Sequence, residues 1–400
     1  MRCCFLKDTI QSYYTVRVSL CLLCCLCIQS TLCAQFLKDN NPADSLERAI
    51  IPALTFNSDV GLVGGGIVNQ IDYRGNKVPY RGQQQLAILA STRGMIKATA
   101  KLEYLHTFNT NIRSTYEARV LRLFENQYFG IGNDTPFSQQ EFNTDFFFFE
   151  SIETEFNYTG RLPLTDKNMR TGWDFIVMGG ISYNQPFLEL SQQEFDNFLA
   201  EDRPNGVNGG WINHLGVGFA YEGRSDEFYP TEGNHLFVRF RWSPETFLSD
   251  FNMTELRLEA SQFFSFNLGK KVTIGNRLKF RHAGGNVPYW QMSSLGGREQ
   301  LRGFAQNRFL GNVALSYTLE ARSWLMRLPK INSKVGAHIF TDVGRVSSDK
   351  EPIGQLFQDY HQTYGFGGAF TLFNPDLIIR FDVGYSEEMT RLYFGFGYLF

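Results

Sequence analysis

One arginine and two acidic residues are the side chains of this sequence with the clearest capacity for specific chemistry. Arg302 lies in an irregular stretch, and Glu320 and Asp342 lie in the two regular segments that follow it. A planar guanidinium can bind a carboxylate through two parallel hydrogen bonds, which a lysine would not reproduce. Gly303 would let the chain turn sharply beside the arginine. These two residues belong to a four-residue motif, which we call the loop-tip motif: Leu301, Arg302, Gly303 and Phe304.

Both acids are predicted to lie on the polar face of a β-strand. In segments 311–324 and 333–346, most apolar residues occupy odd positions, so the even positions form the opposite face. Glu320 and Asp342 therefore share that face, and one arginine can meet both of them. The alternative is that Arg302 is exposed on a loop and that the two acids are there by coincidence.

Patterns typical of enzymes and metal sites are weak. The glycine run 64–66 is followed neither by the Lys-Ser/Thr pair of a phosphate-binding loop nor by a helical pattern. No Gly-x-Ser-x-Gly nucleophile motif occurs. The six histidines are scattered without the spacing of a metal site. We therefore predict that the protein is not an enzyme and uses no metal or other cofactor.

The first 34 residues have the pattern of a secretory signal peptide. Basic residues precede an apolar run at 18–28, and a small residue, Ala34, stands at the expected cleavage site. The apolar run is too short to cross a membrane as a helix, which needs about 20 residues. All seven cysteines lie within this leader, so the mature chain is predicted to form no disulfide bond. Residues 35–49 form a short polar segment, which we predict to be periplasmic.

The sequence from residue 50 onward is dominated by alternation of apolar and polar residues, which is the period of a β-strand. Aromatic residues, which favour strands, make up 15% of the chain. Sixteen segments have the length and alternation of strands: 50–57, 60–73, 83–93, 95–107, 112–125, 143–159, 170–184, 210–222, 233–242, 252–266, 269–283, 311–324, 333–346, 360–373, 375–386 and 391–400.

Two all-β architectures fit any single one of these strands. A soluble sandwich would bury the apolar face against a second sheet, whereas a membrane barrel exposes that face to lipid and keeps its charges in a wet lumen. The signal peptide, the even number of strands and the aromatic C-terminus favour the barrel. We predict a 16-stranded antiparallel transmembrane β-barrel over residues 50–400.

The connections between strands predict an orientation for such a barrel. If the N-terminus is periplasmic, every connection from an odd-numbered strand to the next even-numbered strand lies at the outer end of the barrel. Long loops are expected at that end. The connections at 126–142, 185–209, 284–310 and 347–359 are of that kind. Two connections at the inner end, 74–82 and 222–233, are also long.

Several stretches resemble the BamA/TamA superfamily of outer-membrane assembly and translocation barrels, also called bacterial surface-antigen barrels. The resemblance implies that loop 284–310 folds back into the lumen, where Arg302 pairs with Asp342 and Glu320. It also implies a location in the outer membrane and a role in inserting or translocating polypeptides there. The similar stretches are 128–135, 222–233, 295–304, the strand with Glu320 and Arg322, 336–344, and the C-terminal segment that ends at Phe400.

The closing segment 391–400 is a second candidate site. Its even positions are all apolar or aromatic, and they include Phe396, Tyr398 and Phe400. This pattern looks like the C-terminal signal by which outer-membrane barrels are recognised for assembly. The alternative is a strand that faces lipid and has no role in recognition, and the two roles are compatible.

The seam between the first and last strands is a third candidate site. Pro52 has no N–H and is therefore suited to an edge or to the start of a strand. Gly395 and Gly397 add no outward packing to the last strand. These features would weaken barrel closure, as expected for a superfamily whose seam opens laterally. The alternative is a first strand that starts at Ala53, with ordinary barrel glycines.

The resemblance implies outer-membrane lipid and a client or passenger polypeptide as partners. The net charge of −2 gives no basic field for nucleic acid. Superfamily members usually carry periplasmic POTRA domains, and the segment 35–49 is too short to form one. Either a separate periplasmic protein replaces them, or the barrel has another task. Alternative functions are a dedicated secretion pore for a passenger, and a passive porin or structural barrel.

Overall fold

The computed structural model describes most of the chain beyond the leader. The predicted signal peptide 1–34 and Phe400 lie outside the described residues, so both remain predictions. The described ranges are 46–74, 80–107, 110–165, 171–188, 197–226, 228–372 and 374–398.

Sixteen antiparallel strands form a closed barrel, in which each strand pairs with its neighbours in sequence and the last pairs with the first. Two further strands, β12 and β13, form a separate hairpin between β11 and β14. The strands are β1 (Leu46–Asn57), β2 (Gly61–Asp72), β3 (Gly82–Ser91), β4 (Met95–Thr107), β5 (Ile112–Gln127), β6 (Phe148–Pro163), β7 (Gly172–Phe187), β8 (Gly210–Glu222), β9 (Gly233–Ser243), β10 (Met253–Leu268), β11 (Lys270–Gly285), β12 (Ser293–Leu295), β13 (Phe309–Gly311), β14 (Val313–Leu328), β15 (Ser333–Ser347), β16 (His361–Leu372), β17 (Asn374–Tyr385) and β18 (Thr390–Phe396).

Each of the sixteen predicted strands corresponds to one barrel strand, and the differences lie at strand ends. Strand β1 begins at Leu46 rather than at residue 50, so residues 46–49 of the predicted periplasmic segment belong to the strand, and residues 35–45 lie outside the described residues. Strand β6 begins at Phe148 rather than at residue 143, because residues Gln139–Asn143 form a short helix, α1, capped by the side chain of Ser138. The closing strand is shorter than predicted and ends at Phe396.

The strands separate apolar and charged residues as their alternation predicts. Val120 and Ile339 lie on the outer face and are among many large apolar residues that are exposed there. Arg277 and Asp342 lie on the inner face and are buried. No helix in the described ranges is both long enough and apolar enough to cross a membrane. The exposed apolar belt and the polar interior are the pattern of a barrel that faces lipid.

Long connections gather at one end of the barrel, as predicted. They follow β5, β7, β11 and β15, and the second of them contains helix α2 (Phe198–Asp202). Aromatic residues from the first two of these connections pack together, with Phe129 and Phe147 buried at the centre of the cluster. The third connection, residues 286–312, contains the β12–β13 hairpin and carries the Arg302 motif.

Candidate functional site

The connection between β11 and β14, which we call the inserted loop (residues 286–312), folds back into the barrel lumen. Its tip turns at Gly303, whose φ of 134° lies in a region that side chains rarely adopt. Leu301 and Phe304, on either side of the Arg-Gly pair, are completely buried. They pack in an apolar cluster with Leu295, Phe309, Ala314 and Val346. The tip is therefore anchored by apolar contacts as well as by charge.

Arg302 meets both of the acids that the strand alternation places on the inner face. Its Nε and Nη2 donate hydrogen bonds to the two carboxylate oxygens of Asp342, each at 2.8 Å. Its backbone N–H also donates to Asp342, at 3.2 Å, and its Nη1 donates to Glu320 at 3.3 Å. This paired geometry is the arrangement that a guanidinium allows and an ammonium does not.

Two residues outside the predicted site, Arg380 and Asp382, complete the charge cluster. Arg380 on β17 donates hydrogen bonds to Glu320 at 2.6 Å and to Asp382 at 2.6 Å. Asp382 also lies 3.5 Å from Nη1 of Arg302. Arg322 approaches Glu320 at 3.6 Å. Three guanidinium groups thus face three carboxylates, and the His338 ring also lies 2.9 Å from Asp382.

The side chains of the cluster are buried, which differs from the wet lumen expected from the sequence. Arg302 has 1% of its surface exposed, and Asp342 and Asp382 have none. Burial disfavours the charged guanidinium, but the charge and hydrogen bonds of Asp342 together with the charge of Glu320 outweigh this effect and raise the pKa of Arg302. The carboxylates are occupied by arginines, and no described group of acidic, His or Cys side chains is arranged to hold a metal ion.

The seam between β1 and β18 is the shortest strand pairing in the barrel. Two residue pairs join these strands in the described part of the chain: Phe56 with Phe394, and Asn57 with Tyr393. By comparison, β18 pairs with β17 through seven residues, and β1 pairs with β2 along its whole length. Pro52 lies inside β1, so a strand start at Ala53 is wrong. Among the residues that the structure describes, 46–55 of β1 have no ladder partner in β18.

The inserted Arg-Gly-Phe tip, its acidic partners and the short seam agree with a match to a family model. Residues 142–400 match the Omp85 superfamily domain. The chain belongs to the Omp85 superfamily. Omp85 barrels lie in the outer membrane, and that is the location of this protein.

Solved structures with a similar fold include two other barrels. The structure of BamA from Haemophilus ducreyi lacking POTRA domains 1–3 is 13% identical, with a TM-score of 0.61, and the match covers 90% of this chain and 71% of that one. CdiB from Escherichia coli is 11% identical, with a TM-score of 0.56, over 90% of this chain and 64% of that one. No curated protein matches the sequence. At these identities the likeness shows the fold of an Omp85 barrel.

The C-terminal end of this Omp85 barrel differs from its predicted path. Phe396 is exposed on the outer face, as predicted, but Gly397 leaves the strand with a φ of 74°. The turn reverses the alternation, so Tyr398 points into the lumen instead of outward. Its ring lies 4.3 Å from the guanidinium of Arg322 and 4.9 Å from that of Arg380. The proposed role of Phe396, Tyr398 and Phe400 as an assembly signal remains a prediction.

Gly395 has a different role from the one expected at the seam. It lies on the inner face, and a Cβ atom there would stand 2.8 Å from the guanidinium of Arg298 and 3.1 Å from Oγ1 of Thr55. A side chain at this position would displace the side chain of Arg298 in the inserted loop or that of Thr55 on β1. The glycine therefore leaves space for the Arg298 side chain beside the seam.

The base of the inserted loop is held by the segment 128–135, another stretch that resembles the superfamily. Gly132 donates its N–H to Leu310 at 2.8 Å. Arg308 donates to the hydroxyl of Thr135 at 2.6 Å and forms an ion pair with Glu388 at 2.7 Å. The pairing of Arg308 with Glu388 had no signal in the sequence, since the two residues lie in separate loops.

Proposed function

We propose that this barrel inserts or translocates polypeptides at the outer membrane. The seam between β1 and β18 is the working edge, that is, the edge with which a client strand pairs. The observation that supports the proposal is the unequal pairing of β1 in the described residues, which is complete toward β2 and limited to two residue pairs toward β18. Unpaired N–H and C=O groups are a template for another strand. In lipid each unsatisfied group is costly, so an incoming strand gains by pairing there.

The work proposed for the seam is physical and needs no covalent step. An arriving hairpin would pair its free edge with residues 46–55 of β1, and the barrel would then release the finished product sideways. No catalytic residue and no cofactor are required for this process. The partners are therefore the surrounding lipid and a client polypeptide, with a separate periplasmic protein proposed to deliver the client.

A passive pore fits the structure less well than a polypeptide-handling barrel. The buried loop tip and its charge cluster occupy part of the lumen, and a passive pore would gain nothing from holding them there. A secretion pore for a dedicated passenger is the second candidate. It would use the lumen as the path, so the inserted loop would have to leave its site during transport.

A photo-crosslinking experiment in cells tests the proposed edge. A photoreactive residue replaces Ile50 on β1, which is 61% exposed and has no partner among the described residues of the last strand. The matched control is Ile88 on β3, which is 58% exposed on a strand paired on both sides. We expect polypeptides to be trapped at position 50 and not at position 88, with identification by mass spectrometry.

Other outcomes separate the alternatives. If positions 50 and 88 trap the same polypeptides or none, the seam is not a working edge. If a secreted polypeptide is instead trapped from a lumen position such as Arg241, and not from position 50, the protein is a secretion pore. A steady conductance without any trapped polypeptide would indicate a passive barrel.

A further inference from the structure

The turn between β1 and β2 carries a buried carboxylate that contacts the inserted loop. Asp59 has 2% of its surface exposed, although the turn lies at the outer end of the barrel. Its Oδ1 accepts a hydrogen bond of 2.9 Å from the backbone N–H of Gln306. The same oxygen lies 3.4 Å from Nη1 of Arg391 on β18. One side chain on the β1 side of the seam thus touches both the loop and the opposite strand.

The same part of the loop also contacts the other side of the seam. The hydroxyl of Ser386, just after β17, donates to the carbonyl of Gly303 at 2.9 Å. Arg308 forms its ion pair with Glu388, in the turn between β17 and β18. Loop residues 303–308 therefore lie between two anchors, one on each side of the seam.

We propose that Asp59 is a positioning residue that ties β1 to the inserted loop, so that loop residues 303–308 act as a clip across the outer end of the seam. Seam opening then requires release of either the Asp59 contact or the contacts on the β17–β18 side. The arrangement couples the loop position to the state of the seam. Its importance for client handling rests on the proposed function, whereas the clip itself can be measured without any client.

The weakness of the seam makes such a clip effective. Beyond the two ladder pairs, Ser58 donates its N–H to Leu392 at 3.1 Å, and Leu392 donates its N–H to the hydroxyl of Ser58 at 2.8 Å. These bonds lie next to Asp59 along the chain. Hydrogen bonds that involve a charged group are roughly twice as strong as neutral ones. A single contact from Asp59 is therefore large relative to the total pairing of this end of the seam.

Hydrogen exchange of seam amides tests the clip in purified full-length barrels. In Asp59→Ala, the amides of Ser58 and Leu392 should exchange about tenfold faster, a factor that corresponds to ~1.4 kcal/mol. Asp59→Ser should behave in the same way, because its hydroxyl is too short to reach Gln306. This second variant keeps a residue that turns favour, in case the alanine variant does not fold. All variants are compared as barrels whose migration in gels still changes on boiling.

Two further variants distinguish the clip from general destabilisation. Asp59→Asn keeps the acceptor for Gln306 and should retain most of the protection. Asparagine has nearly the same shape as aspartate, so its amide oxygen can take the place of Oδ1. Asp72→Ala removes an aspartate from the far end of the same hairpin and should leave the seam unchanged. It pairs with Arg74 instead of the loop.

The proposal is overturned if seam exchange is unchanged in both Asp59→Ala and Asp59→Ser, or if Asp72→Ala accelerates it equally. It is also overturned if Asp59→Asn exchanges as fast as Asp59→Ala, since the contact to Gln306 would then be irrelevant. These results do not depend on a client. A barrel that traps no polypeptide at Ile50 can still show the clip, so failure of the clip and failure of the proposed function are distinguishable.

Discussion

Arg302→Ala should release the inserted loop from the lumen wall while the barrel keeps its strands. Removing one partner of a buried ion pair costs roughly 3–5 kcal/mol, because the other charge stays buried without compensation. Screening by water does not reduce this effect here, since Arg302 and Asp342 are buried. The apolar contacts of Leu301 and Phe304 remain, so the substitution loosens the loop but does not unfold the barrel. We expect cleavage of the loop by a protease of broad specificity to accelerate on the order of 100-fold.

A double-mutant cycle with Asp342→Asn checks that the two side chains act through one interaction. Arg302→Ala leaves the cluster with one excess negative charge, and Asp342→Asn removes that charge again. The double variant should therefore be no worse than Arg302→Ala alone, because changes to groups in one interaction are not additive. Strictly additive effects on cleavage would show that the contact does not hold the loop.

Glu299→Ala is the matched control within the same loop. The side chain of Glu299 is 67% exposed, and its ion pair with Lys279 spans 3.6 Å. Exposed ion pairs contribute little, typically about 0–1 kcal/mol. This variant should leave loop cleavage at the wild-type rate, whereas a large increase would mean that any change in loop charge loosens the tip.

The barrel was predictable because a strand has a period of two residues. Odd positions of β14 and β15 are mostly apolar, so Glu320 and Asp342 had to lie on the inner face together. The alternation did not indicate that Glu320 and Asp342 lie close to Arg302. This proximity was implied by the resemblance to a superfamily in which the loop folds inward. The structure places all three side chains together.

The composition of the cluster was only partly predictable. Arg380 and Asp382 alternate with Ile379, Phe381 and Val383, so their inward direction was available from the sequence. Their contact with Glu320 and Arg302 depends on how strands β14, β15 and β17 lie around a closed barrel, which the alternation does not specify. The burial of the cluster also depends on the path of the loop.

The reversal at the C-terminus depended on one backbone angle. In the sequence, the alternation from Leu392 to Phe396 continues to Tyr398, which was therefore predicted to face outward. Gly397 instead adopts a positive φ and turns Tyr398 toward Arg322 and Arg380. A glycine permits such an angle without requiring it, so the sequence alone could not distinguish the two paths.

Gly384→Ala should displace the loop tip by sterics alone, without any change of charge. Gly384 lies on the inner face of β17, and a Cβ atom there would stand 2.3 Å from the carbonyl oxygen of Arg302 and 3.0 Å from the N of Gly303. Both are backbone atoms, so no side chain can swing away to make room. The tip can retreat only by lengthening the bonds from Arg302 to Asp342. We expect loop cleavage to accelerate about as much as in Arg302→Ala, on the order of 100-fold.

Gly368→Ala on the neighbouring strand β16 is the control for this steric argument. A Cβ atom there would meet only the carbonyl oxygen of Gly336, at an ordinary 3.6 Å. Both substitutions replace a strand glycine by alanine, which lowers the entropy of the unfolded chain and fits an extended backbone. The two barrels should therefore assemble equally, and only Gly384→Ala should expose the loop. Equal resistance to protease in both variants would mean that the tip does not rest on β17.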